Sequence, residues 1–229
     1  MLGCSVDFVA LTLAYVDRNL AMGEHMFQFG ERTYVVNAGV FSPHVFEDTA
    51  FFTRALPIRP GECVLEIGCG AGVLAVEAAL AGAASVMATD ISPQAVANAR
   101  ANAVRHDVGH ILNCHVSDLF SAMHYALCFD IIFWNAPFIC ADEPYAGALA
   151  AAVFDPEYRS IARYLRDAPK FIKPDGHIFL GFSSTSGDKE RLDEVARQAR
   201  LRLELVAREC LSDSTCTDFS LELYRAEAF

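Results

Sequence analysis

Three observations predict a doubly wound α/β fold with a mostly parallel sheet. From Cys63 onward, short β-prone apolar runs alternate with helical patterns. The first run, Cys63–Ile67, breaks into glycines at alternate positions, Gly68, Gly70 and Gly72, and then enters an alanine-rich helical stretch. Polar side chains recur where the runs end, which is the edge at which open parallel sheets bind ligands.

The elements follow in order. Residues 8–20 carry apolar side chains at helical spacing, and 26–29 with 33–36 alternate around Gly30-Glu31 as a hairpin. A loop at 39–44 leads into a helix at 50–56, with Asp48 or Thr49 available near its start. After strand Cys63–Ile67 comes helix Val73–Leu80, stopped at Gly82, then a strand at 85–89 that closes on Asp90. Ser92 suits the N-cap and Pro93 the first turn of a helix at 93–104. Strands at 111–116 and 129–134 follow, the second closing on Asn135-Ala136-Pro137-Phe138. Small residues fill a loop at 139–152 that also holds Glu143, Pro144 and Tyr145, and its length suggests a lid or part of a pocket. A helix is expected at 155–168 with Asp155 as N-cap and Pro156 first, then a turn at Lys173-Pro174-Asp175-Gly176 before a strand at 177–182. A polar loop at 183–187, a helix at 189–199 and an antiparallel pair at 201–207 and 219–224 complete the chain. Residues 1–56 are expected to form a helix, hairpin and capping segment on a main domain at 57–229.

At 229 residues and 53% hydrophobic content there is ample material for a full core. The apolar run at 8–16 is bounded by Asp7 and Asp17, so neither a signal peptide nor a membrane anchor is expected. Eight scattered cysteines without a Cys-x-x-Cys pair fit buried thiols in a reducing cytoplasm. The net charge of −11, with only three lysines, argues against a polyanionic substrate, although Arg159, Arg163 and Arg166 make a candidate basic stripe. His106, His110 and His115 lack the cysteine pair or carboxylate cluster that would complete a metal set.

The glycine turn does not fit a dinucleotide site, whose Gly-x-Gly-x-x-Gly would need glycine where this chain has Val73. Instead Glu66 precedes the first glycine by two residues. This Glu-x-Gly-x-Gly-x-Gly pattern resembles motif I of the class I S-adenosylmethionine-dependent methyltransferases. Val40-Phe41-Ser42-Pro43 and Glu47-Asp48-Thr49, just ahead of it, are similar to the loop of the release-factor glutamine N5-methyltransferase branch, the "methyltransferase small domain" group. Asn135-Ala136-Pro137-Phe138 resembles the Asn/Asp-Pro-Pro-Tyr/Phe motif of methyltransferases that modify planar or amide-like nitrogen, with Ala136 departing from the usual proline.

The resemblance implies a Rossmann-like seven-stranded sheet, S-adenosylmethionine as cofactor and S-adenosylhomocysteine as product. It assigns Glu66, Gly68, Cys69, Gly70 and Gly72 to the turn against the cofactor's methionine part, gives Thr49 to the segment that closes over the cofactor or else to capping its helix, and places Ile91 against the adenine or else in the core. Asp90, some twenty residues after the turn, suits the ribose because a carboxylate accepts two hydrogen bonds from a vicinal diol. Asp118, beside Leu119, matches the position that accepts from the adenine amino group. Two acceptors, the Asn135 side-chain oxygen and the Ala136 carbonyl, would hold the N–H groups of an amide or amine and leave the nitrogen's electrons facing the methyl group. Pro137 stiffens that turn, and Phe138 walls in the planar group. The expected activity is N-methylation of a small molecule or protein glutamine. An RNA or DNA base methyltransferase and a non-catalytic cofactor-binding subunit are the alternatives.

Overall fold

The computed structural model describes residues 7–124, 128–141, 147–212 and 218–229. Helix α1 (Phe8–Met22) is capped by the Asp7 carboxylate and followed by a hairpin, β1 (His25–Phe29) and β2 (Arg32–Val36), and by α2 (Asp48–Ala55). Then come β3 (Cys63–Ile67), α3 (Val73–Leu80), β4 (Ser85–Asp90), α4 (Pro93–Arg105), β5 (Leu112–Val116) and β6 (Phe129–Asn135). A short helix α5 (Ala148–Ala151), α6 (Arg159–Asp167), β7 (Ile172–Phe182), α7 (Lys189–Gln198), β8 (Leu201–Ser212) and β9 (Asp218–Ala228) follow.

The seven-stranded sheet runs β5-β4-β3-β6-β7-β9-β8, with the first five strands parallel and β9 antiparallel to both neighbours. Period-two alternation explains why it is wound on both faces. Val64, Ile131 and Phe133 face α2, α3 and α4, whereas Leu65, Ile132 and Trp134 face α6 and α7. The order reverses between β3 and β6, so a crevice opens where Ile67 and Asn135 end their strands.

Two polar residues of α4 tie the N-terminal segment to this body. Asn102 is buried; its Oδ1 accepts the Val35 N–H at 2.9 Å, and its Nδ2 donates to the carbonyls of Val35 and Ala71, both at 2.8 Å. Asn98, also buried, accepts the Asn37 N–H at 2.8 Å. The hairpin and the glycine turn thus hang on one helix face. Gly72 packs there too: a Cβ on it would lie 2.7 Å from the Ala99 Cβ, and its φ of +80° already excludes most side chains.

Three expectations need correction. The helix at 155–168 starts late, because Pro156–Tyr158 is a tight 3-10 turn in which Glu157 and Tyr158 both have φ of 54°. Asp155 still caps the helix, accepting from the N–H groups of Ser160 and Ile161 at 3.0 and 2.9 Å. The Lys173–Gly176 turn is an irregularity inside β7, where the register jumps from Phe129↔Ile172 to Ile131↔His177 and Lys173 pairs with Asp130 at 2.7 Å. The last two strands are longer than their apolar cores, because their outer residues alternate in charge: Arg202 pairs with Glu227 and Arg225 with Glu204.

Asn102→Ala takes the partner from the Val35 N–H and the Ala71 carbonyl, while the Val35 carbonyl keeps Asn98, and costs about 2 kcal/mol. A fall in the urea midpoint with an unchanged m-value is the expected result, and an unchanged midpoint would show that water replaces the amide.

Candidate active site

Two cavities meet at Asn135 on the carboxyl edge of the sheet. The smaller is lined by Thr49, Glu66, Gly68, Cys69, Gly70 and Asn135, with Phe41, Pro43 and Phe133 among its apolar walls. The larger takes Gly68 and Gly70 from the same turn and adds Asp90, Ile91, Asp118, Leu119, Trp134, Asn135 and Pro137. The structure therefore brings most of the sequence-derived site residues to one edge. Gly72, Ala136 and Phe138 line neither cavity: Gly72 faces α4, Ala136 is buried, and the Phe138 ring stands beside Phe182 and Phe219. Glu143, Pro144 and Tyr145 lie outside the described residues, although Ala151 and Ala152 of the same loop reach the larger cavity.

The glycine turn is shaped from inside. Gly68, Gly70 and Gly72 all have positive φ, Cys69 donates its N–H to the Thr89 carbonyl at 2.9 Å, and Gly72 closes back on the Cys69 carbonyl at 2.7 Å. A Cβ on Gly70 would come into van der Waals contact with Phe41, at 3.8 Å, and would take up room in the wall that both cavities share. Glu66 is buried beside it, and its Oε2 has no hydrogen-bond partner among the described residues. Burial pushes its pKa well above the usual carboxylate range, and Asp90 nearby adds to the effect. A cation entering the smaller cavity would restore its ionised form.

Asp90 is already half engaged. One oxygen accepts the Gly70 N–H at 2.9 Å and the other the Ser92 N–H at 2.8 Å, which fixes the carboxylate plane and leaves a second lone pair on each oxygen. Ile91 is 57% exposed at the cavity mouth and has no role in the core. Asp118 pairs with Arg163 at 2.9 Å. Leu119 holds a φ of 51°, in a turn bridged by Ser117, whose hydroxyl donates to the Leu119 carbonyl at 2.7 Å.

The contact least visible in the sequence joins Asn135 to Asp48. The Asn135 Nδ2 donates to the Asp48 Oδ2 at 2.8 Å across 87 residues of chain, leaving Asn135 Oδ1 and Asp48 Oδ1 buried and unpartnered. Burial pushes the Asp48 carboxyl up to about 6, opposed by the hydrogen bond from Asn135. A missing side chain makes the approach possible. Asn135 pairs with Gly181 on β7, and a Cβ on Gly181 would lie 2.7 Å from the Phe52 Cζ, so the glycine lets α2 sink onto the sheet. The sequence presents Asp48 as a helix cap and as the middle of the Glu47-Asp48-Thr49 triplet, with no sign of its contact with Asn135. Sequence reasoning passed over Phe41, which lines both cavities and stacks on Phe46, and Trp134. Phe41 belongs to the loop similar to that of the glutamine methyltransferase branch, which is the signal that could find it, whereas Trp134 carries only a strand signal.

The candidate basic stripe is internally neutralised. Arg159 pairs with Glu157, Arg163 with Asp118 and Arg166 with Asp167.

Comparison with known proteins places these features in a family. The model of the methyltransferase small domain matches residues 31–204. A release factor glutamine methyltransferase of Cereibacter sphaeroides is 32% identical over 179 residues, covering 72% of this chain and 61% of its own length. A "putative protein N5-glutamine methyltransferase" of Methanocaldococcus jannaschii is 30% identical over 174 residues, covering 72% of this chain and 85% of its own. Ribosomal protein L11 methyltransferases also match. Among solved structures, "a putative methyltransferase complexed with SAH" superposes with a TM-score of 0.61 at 14% identity, over 89% of this chain and 56% of that one, a likeness of fold. The chain belongs to the methyltransferase small domain family, the class I methyltransferases that use S-adenosylmethionine.

Proposed function

We propose that this chain is an N-methyltransferase whose acceptor is an amide or amine nitrogen, with protein glutamine the leading candidate. The observation that carries the reading is the pairing of Asn135 with Asp48. Because the amide spends one N–H on the carboxylate, its oxygen is left buried and unpartnered beside the point where the two cavities meet, an acceptor that an entering N–H donor would satisfy. The Ala136 carbonyl would take the second N–H, and Pro137, which lines the larger cavity, would border the planar group in place of Phe138, whose ring stands with Phe182 and Phe219. The named activity of the two glutamine methyltransferase relatives supports this acceptor.

The residues fit S-adenosylmethionine. Glu66, with its orphaned buried oxygen, would hold the ammonium end, beside Thr49 and the backbone of Gly68, Cys69 and Gly70. Asp90 would hold the ribose and Asp118 the adenine amino group, with Ile91 and Leu119 against the ring. When bound, the cofactor supplies a methyl carbon activated by a positively charged sulfur. The chain's own work is to aim a nitrogen lone pair along the line of displacement and to exclude water. No strong base is demanded of it, since the nitrogen becomes acidic once it is alkylated. The paired arginines give a polyanionic acceptor little to grip.

S-Adenosylhomocysteine at about a hundred times its Kd is expected to add about 2.7 kcal/mol of stability, visible as a raised melting temperature. Gly70→Ala, which fills the cradle, is expected to abolish most of that gain, and a gain kept by the variant would remove the turn from the cofactor site. With a short glutamine-containing peptide as probe, wild-type chain and S-adenosylmethionine should yield a monomethylated glutamine by mass spectrometry. Asn135→Ala should lower kcat about 100-fold, the scale expected when positioning fails. An Asn135→Ala variant at wild-type rate would refute the acceptor assignment.

Asp48 sets a pH dependence. Its folded pKa is about 6 against an ordinary 3.8, so between these values the folded chain binds a proton that the unfolded chain does not. Its contribution to stability therefore falls as pH rises from about 4 to about 6. Asp48→Asn should gain stability relative to wild type across that window, read from urea midpoints, and a pH-independent difference would show that the carboxyl does not titrate there.

A further inference from the structure

Nineteen residues after Phe138, where the Asn135–Phe138 loop ends, two consecutive residues other than glycine occupy the left-handed region: Glu157 (φ 54°, ψ 19°) and Tyr158 (φ 54°, ψ 37°). Side chains of L-residues disfavour this conformation, which persists only where the surroundings over-determine it. Here it accompanies a fully buried Tyr158 whose hydroxyl donates to the Phe138 carbonyl at 2.8 Å and accepts the N–H of Asp188, the N-cap of α7, at 2.7 Å. Burial raises the phenol's pKa, keeping it a donor.

The backbone of the same segment adds two straps. The Ile139 N–H donates to the Val153 carbonyl at 3.2 Å, and the Asp155 N–H donates to the Ile139 carbonyl at 3.0 Å. Gly187 closes another side, since a Cβ there would lie 2.6 Å from the Phe138 carbonyl oxygen. The loop has little stiffness of its own. It contains one proline, and Ala136 reaches the Gly181 carbonyl only through a long 3.4 Å hydrogen bond.

We propose that Tyr158 is a positioning residue for methyl transfer, its hydroxyl holding the Phe138 carbonyl so that Asn135 and the Ala136 carbonyl keep their aim on the acceptor nitrogen. This rests on the reading of that loop as the acceptor clasp. The strained turn is then the scaffold that delivers the hydroxyl, doing from outside the loop what a second proline at Ala136 would do from within.

The test compares the wild-type chain with Tyr158→Phe, which removes one hydroxyl and keeps the ring beside Phe182. The probes are the short glutamine-containing peptide with S-adenosylmethionine, and S-adenosylhomocysteine affinity read from the fluorescence of Trp134, the single tryptophan. Tyr158→Phe is expected to lower kcat about tenfold, to leave S-adenosylhomocysteine affinity within twofold, and to speed amide exchange at Ile139 about tenfold while Phe179 in the core stays unchanged. A wild-type kcat, or an equal loss in kcat and in S-adenosylhomocysteine affinity, overturns the proposal. Should the wild-type chain leave the peptide unmethylated, the acceptor reading fails, and exchange in the S-adenosylhomocysteine-bound chain decides the clamp: faster exchange at Ile139 upholds it and equal exchange overturns it.

Discussion

A phenyl ring standing on a glycine sets the geometry of the whole sheet edge. Phe52 occupies the space that a side chain at residue 181 would fill, and Gly181 is the register partner of Asn135. Because the ring sinks there, α2 arrives with Asp48 at hydrogen-bond distance from the Asn135 amide. Any larger residue at 181 would lift α2, and with it both Asp48 and Thr49, from the cavity that they border or support. One close contact between two apolar groups thus fixes a polar pair that the chemistry depends on.

The site gathers carboxyl groups in a poorly solvated place. Glu66, Asp90 and Asp48 are all held above the usual carboxylate range, each chiefly by burial. Such an arrangement weakens the empty fold and favours a ligand that brings positive charge, because desolvated carboxylates gain more from a cation than exposed ones do. A sulfonium with an ammonium group is a ligand of that kind. The backbone stores strain at the same edge, at Leu119, Glu157 and Tyr158, none of them glycine. Buried charge and left-handed backbone are both costs that folding alone gives no reason to keep.

The strands, the glycine turn and the polar residues at the strand ends were legible in the sequence because each follows from a local rule: period-two alternation, positive φ at glycine, ligands at the carboxyl edge. Gly68, Gly70, Asp90 and Asn135 were found by those rules and lie together. The Asp48–Asn135 contact was not legible, since it joins residues 87 apart through packing at Gly181 that no local pattern encodes. The start of α6 was misread for a different reason. Asp155-Pro156 carries every helix-start signal, and nothing in the residue types of Glu157 and Tyr158 announces a left-handed turn. The turn at Lys173–Gly176 misled in the opposite sense: its composition is that of a loop, but the pairing of Lys173 with Asp130 folds it into the strand.

Where the sulfur lies decides whether Asn135 faces the transferred methyl group. A crystal structure of the chain with S-adenosylhomocysteine measures this directly. The sulfur is expected to face Asn135, with the ammonium on Glu66 and the ribose on Asp90. A sulfur turned away from Asn135, or an Asn135 oxygen still enclosed by protein with no path to it from solvent, would contradict the role given to Asn135.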